Sequence, residues 1–422
     1  MTPRERTLRL PELVALACAA AGLASSRSAC ADGPEVVYAR PPQGSEGWSR
    51  ACSMRHPTCV HGVPGTSPQT LLATLDALDR AWDVGTGVLA LPGPDGGLDG
   101  SWDAYLVDGV AEVGRAQLGW RDPRGVIDRG ASFALIDRSA PAGCALDLAA
   151  ARALSWGSLL RAAPATDLGT ARAETRMLAR LSAACAGPDE DERAFQAEPE
   201  RTIIDPASEP RSSGGELFFD WLDQTFSSTE GALVTGTWAL APTTTPPASP
   251  HLAAKPTGFD VLRSSLAGAF GTDSDLDDVF LHFGIDRGLQ RPAARVAWHV
   301  PWPEHARRLA SSVAVSPTGT SYVMIDHAGA PAGAILRIAA AWEDYGRMKW
   351  AIVKLDSAGR PLAMLPITSP PLATSAALTV ELLDEVDRLL VVGVNVGSTE
   401  HPFDPAQGWW EPHGWVLTIE PG

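Results

Sequence analysis

Residues 52–61, CSMRHPTCVH, place Cys52, His56, Cys59 and His61 within ten positions, and all four are zinc-ligand types. The same cysteines, in an oxidising compartment, would instead pair as a disulfide, and that reading takes precedence if the chain is exported. A second acidic group, Asp95, Asp99 and Asp103 in and after PGPDGGLDG, reads as a turn feeding a strand, with calcium as the less favoured alternative. A third, Asp273, Asp275 and Asp277 in GTDSDLDD, has calcium-loop spacing. It lacks the loop glycine, since Asp278 stands there, and has no glutamate at the twelfth position. These acids suit the start of a helix near Leu276, where backbone N–H groups and the helix dipole favour negative charge. The last loop, STEHPFDPAQGWWEPHGW, gathers Glu400, His401, Asp404, Glu411 and His413 with Trp409, Trp410 and Trp415. Loop tryptophans stack on sugar rings and carboxylates bond sugar hydroxyls, but the same tryptophans can simply cover a core, and packing is the favoured reading.

Several catalytic motifs are missing. A zinc-protease helix needs two histidines one turn apart, so that both imidazoles face one ion, with a glutamate as base. None of the nine histidines are four residues apart. There is no G-x-S-x-G elbow, no Walker loop and no G-x-G-x-x-G following a strand.

The composition, 45% hydrophobic and 20% charged, is that of a folded protein, and 422 residues exceed one ordinary core. A net charge of −16 argues against a nucleic-acid partner, because no basic surplus is present to pair with phosphates. Arg4, Arg6 and Arg9 precede the apolar run LVALACAAAGLA, which is too short to span a bilayer, and ACA at 29–31 fits signal-peptidase cleavage before Asp32. Cys18 and Cys30 are poor matches to a lipoprotein signal, which makes lipidation the less favoured alternative. The chain is therefore expected to be exported, to a periplasmic, extracellular or cell-surface location, with residues 1–31 as signal peptide and no transmembrane segment. Cys52, Cys59, Cys144 and Cys185 then remain, and three pairings are open. Nearest partners give Cys52–Cys59 and Cys144–Cys185.

The elements that must position these groups read as follows. SPQTLLATLDALDRAW, residues 67–82, carries Leu71, Leu75, Leu78 and Trp82 at helical spacing. WDAYLVDG and GASFALIDRS read as strands, and helices are expected near 145–162 and 167–184. Residues 187–213 are acidic and contain prolines, so they read as a connection. GELFFDWLDQTF, EGALVTGTWALA, FDVLRSSLAGAF and DLDDVFLHFGIDRGL have helical spacing, and the proline-rich residues 242–256 read as a surface loop. Beyond about residue 291, six short apolar runs separated by Gly, Pro and Asp predict a β-sandwich.

With these stretches in order, the chain resembles secreted bacterial metalloproteases of a myxobacterial type with a zincin-like domain. The likeness runs from CSMRHPTCVHG through LDALDRAWDVGTGVLALPGPDGGLDGSWDAYLVDG, ASFALIDRS, GCALDLAAARAL and GGELFFDWLD to FDVLRSSLAGAF, about residues 45–290. The resemblance implies an α+β fold: a zincin-like domain with a helical half at 32–290, then an all-β sandwich domain at 291–422. It also implies that the helix after ASFALIDRS is the zinc helix of active members. Here Ala150, Ala151 and Leu154 stand where His, Glu and the second His would be, and the alternative register offers Ala151, Arg152 and Ser155. The expectation is thus a degenerate metalloprotease that binds a protein or polysaccharide outside the cytoplasm and needs no cofactor. The alternatives are an active secreted metallopeptidase or other hydrolase with a non-standard site, such as Asp99 with Asp103 or the loop cluster near His413, with zinc only in that case, and a surface module that binds carbohydrate or envelope polymers.

Overall fold

A computed structural model of the chain describes residues 42, 44–96, 99–109, 115–120, 131–164, 166–185, 189–205, 209–241, 258–270, 276–290, 294–331, 333–344, 346–370, 372–381, 385–397 and 412–422. The proposed signal peptide, the 242–256 loop and residues 400–411 lie outside that set. The protein is an α+β fold with a β-rich C-terminal region.

The N-terminal part is a five-stranded mixed sheet with helices on one face. Strand β1 (Ser49–Cys52) pairs antiparallel with β2 (Thr58–Gly62), and helix α1 (Pro68–Gly87) follows. Then come β3 (Trp102–Val107), β4 (Arg115–Trp120) and β5 (Ala131–Asp137), in the sheet order β1-β2-β3-β5-β4. The β2–β3 and β3–β5 pairs are parallel. Alternation along each strand divides the side chains between two faces. Val60, Trp102, Ala104, Leu106, Ala134 and Ile136 meet α1 and α2 (Cys144–Ala162) in one apolar cluster. Arg50, His61, Asp103, Tyr105 and Phe133 occupy the other face, because Arg50 opposes His61 and His61 opposes Tyr105 in register.

Helix α1 starts where Ser67 accepts a hydrogen bond from the Thr70 amide at 3.0 Å, with Pro68 at the first helical position. Helices α3 (Leu168–Ala183), α4 (Asp189–Ala197), α5 (Glu209–Gly214), α6 (Glu216–Phe226), α7 (Ala232–Leu240), α8 (Gly258–Phe270) and α9 (Leu276–Leu289) follow. The stretch expected as an acidic connection therefore holds two helices, α4 and α5. Their buried residues are mainly polar, so no apolar period advertises them. Arg176 meets Asp191 and Glu216, Arg180 meets Glu192 and Glu216, and the network ties α3 to α4 and α6. Disulfides join Cys52 to Cys59 and Cys144 to Cys185. The second fastens the start of α2 to the chain just beyond α3.

The C-terminal strands are β6 (Trp298–Val300), β7 (Arg307–Ala310), β8 (Thr320–Asp326), β9 (Ile335–Trp342), β10 (Met348–Leu355), β11 (Pro361–Ile367), β12 (Ser375–Glu381), β13 (Arg388–Asn395) and β14 (Trp415–Pro421). They form two sheets, β11-β10-β13-β8-β6 and β12-β9-β14-β7. Val323, Ile325, Ile352 and Val391 of the first pack on Leu336, Ile338, Leu417 and Ile419 of the second, which makes a sandwich core. The opposite face of the first sheet is buried too. Tyr322, Ala351, Val353, Leu390, Val392 and Val394 share a cluster with Phe218, Phe259, Phe280 and Phe283 of the helices. Helix α9 approaches that sheet closely through two glycines. A Cβ at Gly284 would lie 2.8 Å from Val394 Cγ2, and one at Gly288 would lie 2.7 Å from Tyr322 Cε1. The Tyr322 hydroxyl donates to the Gly284 carbonyl at 2.6 Å.

The segment after α4 links helices and sandwich. Arg287 of α9 is fully buried and donates to Gln196 Oε1 at 2.9 Å and to the carbonyls of Phe195 and Pro199. Its guanidinium lies 3.8 Å from the Phe195 ring centroid, with Arg211 on the same ring at 5.4 Å. The amides of Ser316 and Thr320 donate to the carbonyls of Glu200 and Pro199 at 2.8 and 2.7 Å.

Candidate functional site

The four zinc-type residues of CSMRHPTCVH do not converge. Cys52 and Cys59 are disulfide-bonded across the β1–β2 ladder. His56, in the hairpin turn, points to α1, with Nε2 2.8 Å from Asp83 Oδ1 and its ring stacked on Trp82 at 5.6 Å. Arg55 bonds the same Asp83 and reaches Asp79. His61 projects from the sheet face away from the helices. Among the described residues, no group of three His, Cys, Asp or Glu is placed to hold a metal ion.

That outer face carries the richest polar network near the candidate residues. His61 Nε2 lies 2.9 Å from Asp103 Oδ1, and with its proton on Nε2 the imidazole donates to that carboxylate. Ser101 Oγ donates to Asp99 Oδ1 at 2.6 Å and also lies 3.3 Å from Asp103 Oδ1. Arg50 Nη2 donates to Asp99 Oδ2 at 2.7 Å, and it lies 3.1 Å from both Ser101 Oγ and Cys59 Sγ. Tyr105 stacks on the His61 ring at 4.7 Å, and Trp48 meets Tyr105 edge-on at 5.9 Å. Hydrogen bonds from Ser101 and Arg50 hold the Asp99 carboxyl down to about 2, so it is ionised throughout the physiological range. Burial, then Asp103, pushes the Tyr105 phenol up, so it is a neutral donor. Chemically, the Asp103–His61 pair resembles the orienting half of an acid–base dyad. Ser101 is bonded to the carboxylates and not to the imidazole, so it is not an activated nucleophile.

Asp99 and Asp103 are thus brought together, while Asp95 lies beside Arg161 at 3.5 Å and joins β5 through an isolated bridge to Ala131. The sequence did not signal Arg50, His61 and Tyr105 as their partners, because strands β1, β2 and β3 bring them together only through register.

The helix expected to be the zinc helix, α2, is a packing element. Ala150, Ala151 and Leu154 are 0%, 1% and 1% exposed, within a helix buried continuously from Leu148 to Leu159. Asp277 and Asp278 lie in the first turn of α9 and pair with Arg347 and Lys349, whereas Asp273 and Asp275 fall outside the described residues.

Of the last-loop candidates, Glu400, His401, Asp404, Trp409, Trp410 and Glu411 lie outside the described residues. His413 is described. Its backbone bridges to Val315, and its Nδ1 is 3.5 Å from Glu343 Oε2. Glu343 lines a cavity of about 350 Å³ with Arg308, Ser311 and Trp342. Trp415 belongs to the sandwich core. It is 2% exposed and edge-on to Trp350 at 5.6 Å.

The fold and site define an α+β protein with two disulfides and a β-sandwich. Among the described residues, no helix is long and apolar enough to cross a membrane. The chain matches no protein-family profile and no curated protein. Solved structures similar to part of it include the pre-peptidase C-terminal domain of a collagenase from Bacillus anthracis, at 9% identity, covering 30% of this chain and 98% of that one, with TM-score 0.20. The K3 cleaved adhesin domain of Lys-gingipain from Porphyromonas gingivalis is 13% identical over 27% of this chain and 73% of its own, with TM-score 0.18. CorA, a surface-associated copper-binding protein of Methylomicrobium album BG8, is 11% identical over 30% of this chain and 99% of its own, with TM-score 0.20. Likeness at this level carries no functional argument.

Proposed function

We propose that this is an exported protein on a metalloprotease-like, zincin-like scaffold, acting by binding a protein or polysaccharide ligand rather than by catalysis. The observation that carries this reading is the burial of Ala150, Ala151 and Leu154, at most 1% exposed. A catalytic zinc keeps one position open to water, so its ligands must face a cleft. These positions instead lie in one apolar cluster with residues of α1, α3, β3 and β5. The two disulfides support export. The test is metal content of the purified oxidised protein by mass spectrometry, together with casein cleavage. The expected result is less than stoichiometric zinc and no cleavage. Stoichiometric zinc with chelator-sensitive cleavage refutes the reading.

A second reading, a hydrolase with a non-standard site, draws on the convergence of His61 and Asp103 with Asp99, Ser101 and Arg50. In it His61 is the general base for a water molecule and Asp103 fixes its tautomer. A peptidase, esterase or glycosidase activity lost in both His61→Ala and Asp103→Asn would establish it. Activity that survives both changes removes it.

A further inference from the structure

The two sulfurs of the Cys52–Cys59 disulfide differ in access and in electrostatics. Cys52 is exposed at the end of β1, whereas Cys59 is 3% exposed in β2. A guanidinium nitrogen of Arg50 donates to Cys59 Sγ at 3.1 Å. The cation is fixed in place by Asp99 at 2.7 Å and Ser101 Oγ at 3.1 Å. Asp99 is ionised and offsets part of the Arg50 charge, and Asp103 lies one bond further along the network. The contact to sulfur nevertheless comes from the cation.

We propose that Cys52–Cys59 is a thiol–disulfide exchange site, with Cys52 as the sulfur attacked and Cys59 as the leaving thiolate. Its substrate class is a small thiol or an exposed protein thiol. A thiolate approaches Cys52 Sγ from solvent and forms a new S–S bond. The Cys52–Cys59 bond breaks, and its electron pair leaves on Cys59 Sγ as a thiolate facing the Arg50 guanidinium. The product is a mixed disulfide on Cys52. The Cys59 thiolate then either attacks Cys52 Sγ and expels the incoming thiolate, or a second thiolate attacks the incoming sulfur, releasing Cys52 as thiolate and the small thiol as its own disulfide. Exchange of this kind is faster when the departing sulfur is a better-stabilised thiolate and the attacked sulfur is accessible.

The hairpin is held by contacts other than the S–S bond as well. The Ser53 amide donates to the Thr58 carbonyl at 2.9 Å, and His56 and Arg55 anchor the turn to Asp83. Opening therefore leaves the two sulfurs in register for reclosure, which suits a reversible modification.

The test uses the full oxidised chain with reduced glutathione at fixed pH, alkylation at timed points, and peptide mapping of both disulfides. Glutathione is expected on Cys52 and not on Cys59. In Arg50→Gln, opening of Cys52–Cys59 should slow by about threefold or more, because the departing thiolate loses its cationic partner and a less acidic thiol leaves more slowly. Arg50→Lys, which keeps the charge, should fall between the two, and the Cys144–Cys185 rate should be the same in all three proteins. Glutathione on Cys59 overturns the proposal. So does an Arg50→Gln rate that is unchanged or faster, the latter being the signature of a loosened hairpin, or a loss in Arg50→Lys as large as in Arg50→Gln.

Discussion

Glu174 of α3 gives the protein a built-in pH dependence. The residue is 4% exposed, and the Trp238 indole N–H donates to its Oε2 at 2.8 Å. Burial pushes its carboxyl from an ordinary value of 4.5 up to about 8; the Trp238 hydrogen bond works against the shift, and the nearby Asp167 adds to it. Between those two values the folded state retains a proton that the unfolded chain has released. The contribution to stability is therefore fully present below 4.5 and is lost as pH rises through about 8. At about 1.4 kcal/mol per unit, raising the pH from about 5 to about 7.5 removes roughly 3 kcal/mol. Glu174→Gln preserves an acceptor for the Trp238 N–H and cannot ionise. Urea denaturation of both proteins across that range isolates this one group, because every other titration is shared. The variant should gain roughly 3 kcal/mol relative to the parent between the two pH values. A difference that stays constant with pH would show that Glu174 is not held neutral, and the burial argument would fail.

Restoring a zinc motif by Ala150→His, Ala151→Glu and Leu154→His together should cost at least about 4 kcal/mol, since a buried leucine is lost and polar groups enter a sealed core. Thermal melting checks it, and an undiminished melting point with zinc uptake contradicts it. Arg287→Met should cost about 3 kcal/mol by stripping donors from the Phe195 and Pro199 carbonyls and from Gln196. An unchanged urea midpoint would show that those carbonyls find other partners. Replacing Cys144 and Cys185 with serine opens a closure of 41 residues and should cost about 3–4 kcal/mol in the chain-entropy account, read from the same melts.

Much of the architecture was legible because it depends on local period. Helices α1, α2, α3 and α6 to α9 carry apolar residues at helical spacing, and β8, β9, β10, β12, β13 and β14 are short apolar runs between turns. Helices α4 and α5 were not legible, because Asp191, Gln196, Arg211 and Ser212 are buried there as polar partners and leave no stripe. Strands β1 and β2 were hidden by a cysteine-rich turn that reads equally as a loop. Strand β11 begins at Pro361 and contains Pro366, which masks it, and it is an edge strand, where proline is tolerated. At the site, single positions were visible but neighbours were not. Asp99 and Asp103 stand out in sequence, whereas His61 joins them through the parallel β2–β3 register and Arg50 through the antiparallel β1–β2 register, neither of which a local pattern encodes. His56 and His61, five apart, look like partners and diverge to Asp83 and Asp103.

The sheet β11-β10-β13-β8-β6 is covered on both sides, by the second sheet and by the helices. This has a consequence for the order in which the chain emerges. Helix α9 is made before the strands it rests on, so the cluster it shares with Phe218, Phe259, Phe280 and Phe283 lacks its sheet-side cover until β8, β10 and β13 arrive. A nascent or truncated chain ending before residue 320 leaves the apolar side of α9 around Gly284 and Gly288 uncovered. Such a fragment invites self-association or a chaperone, and stop codons or proteolytic cuts in the sandwich strip the helical half of its cover as well.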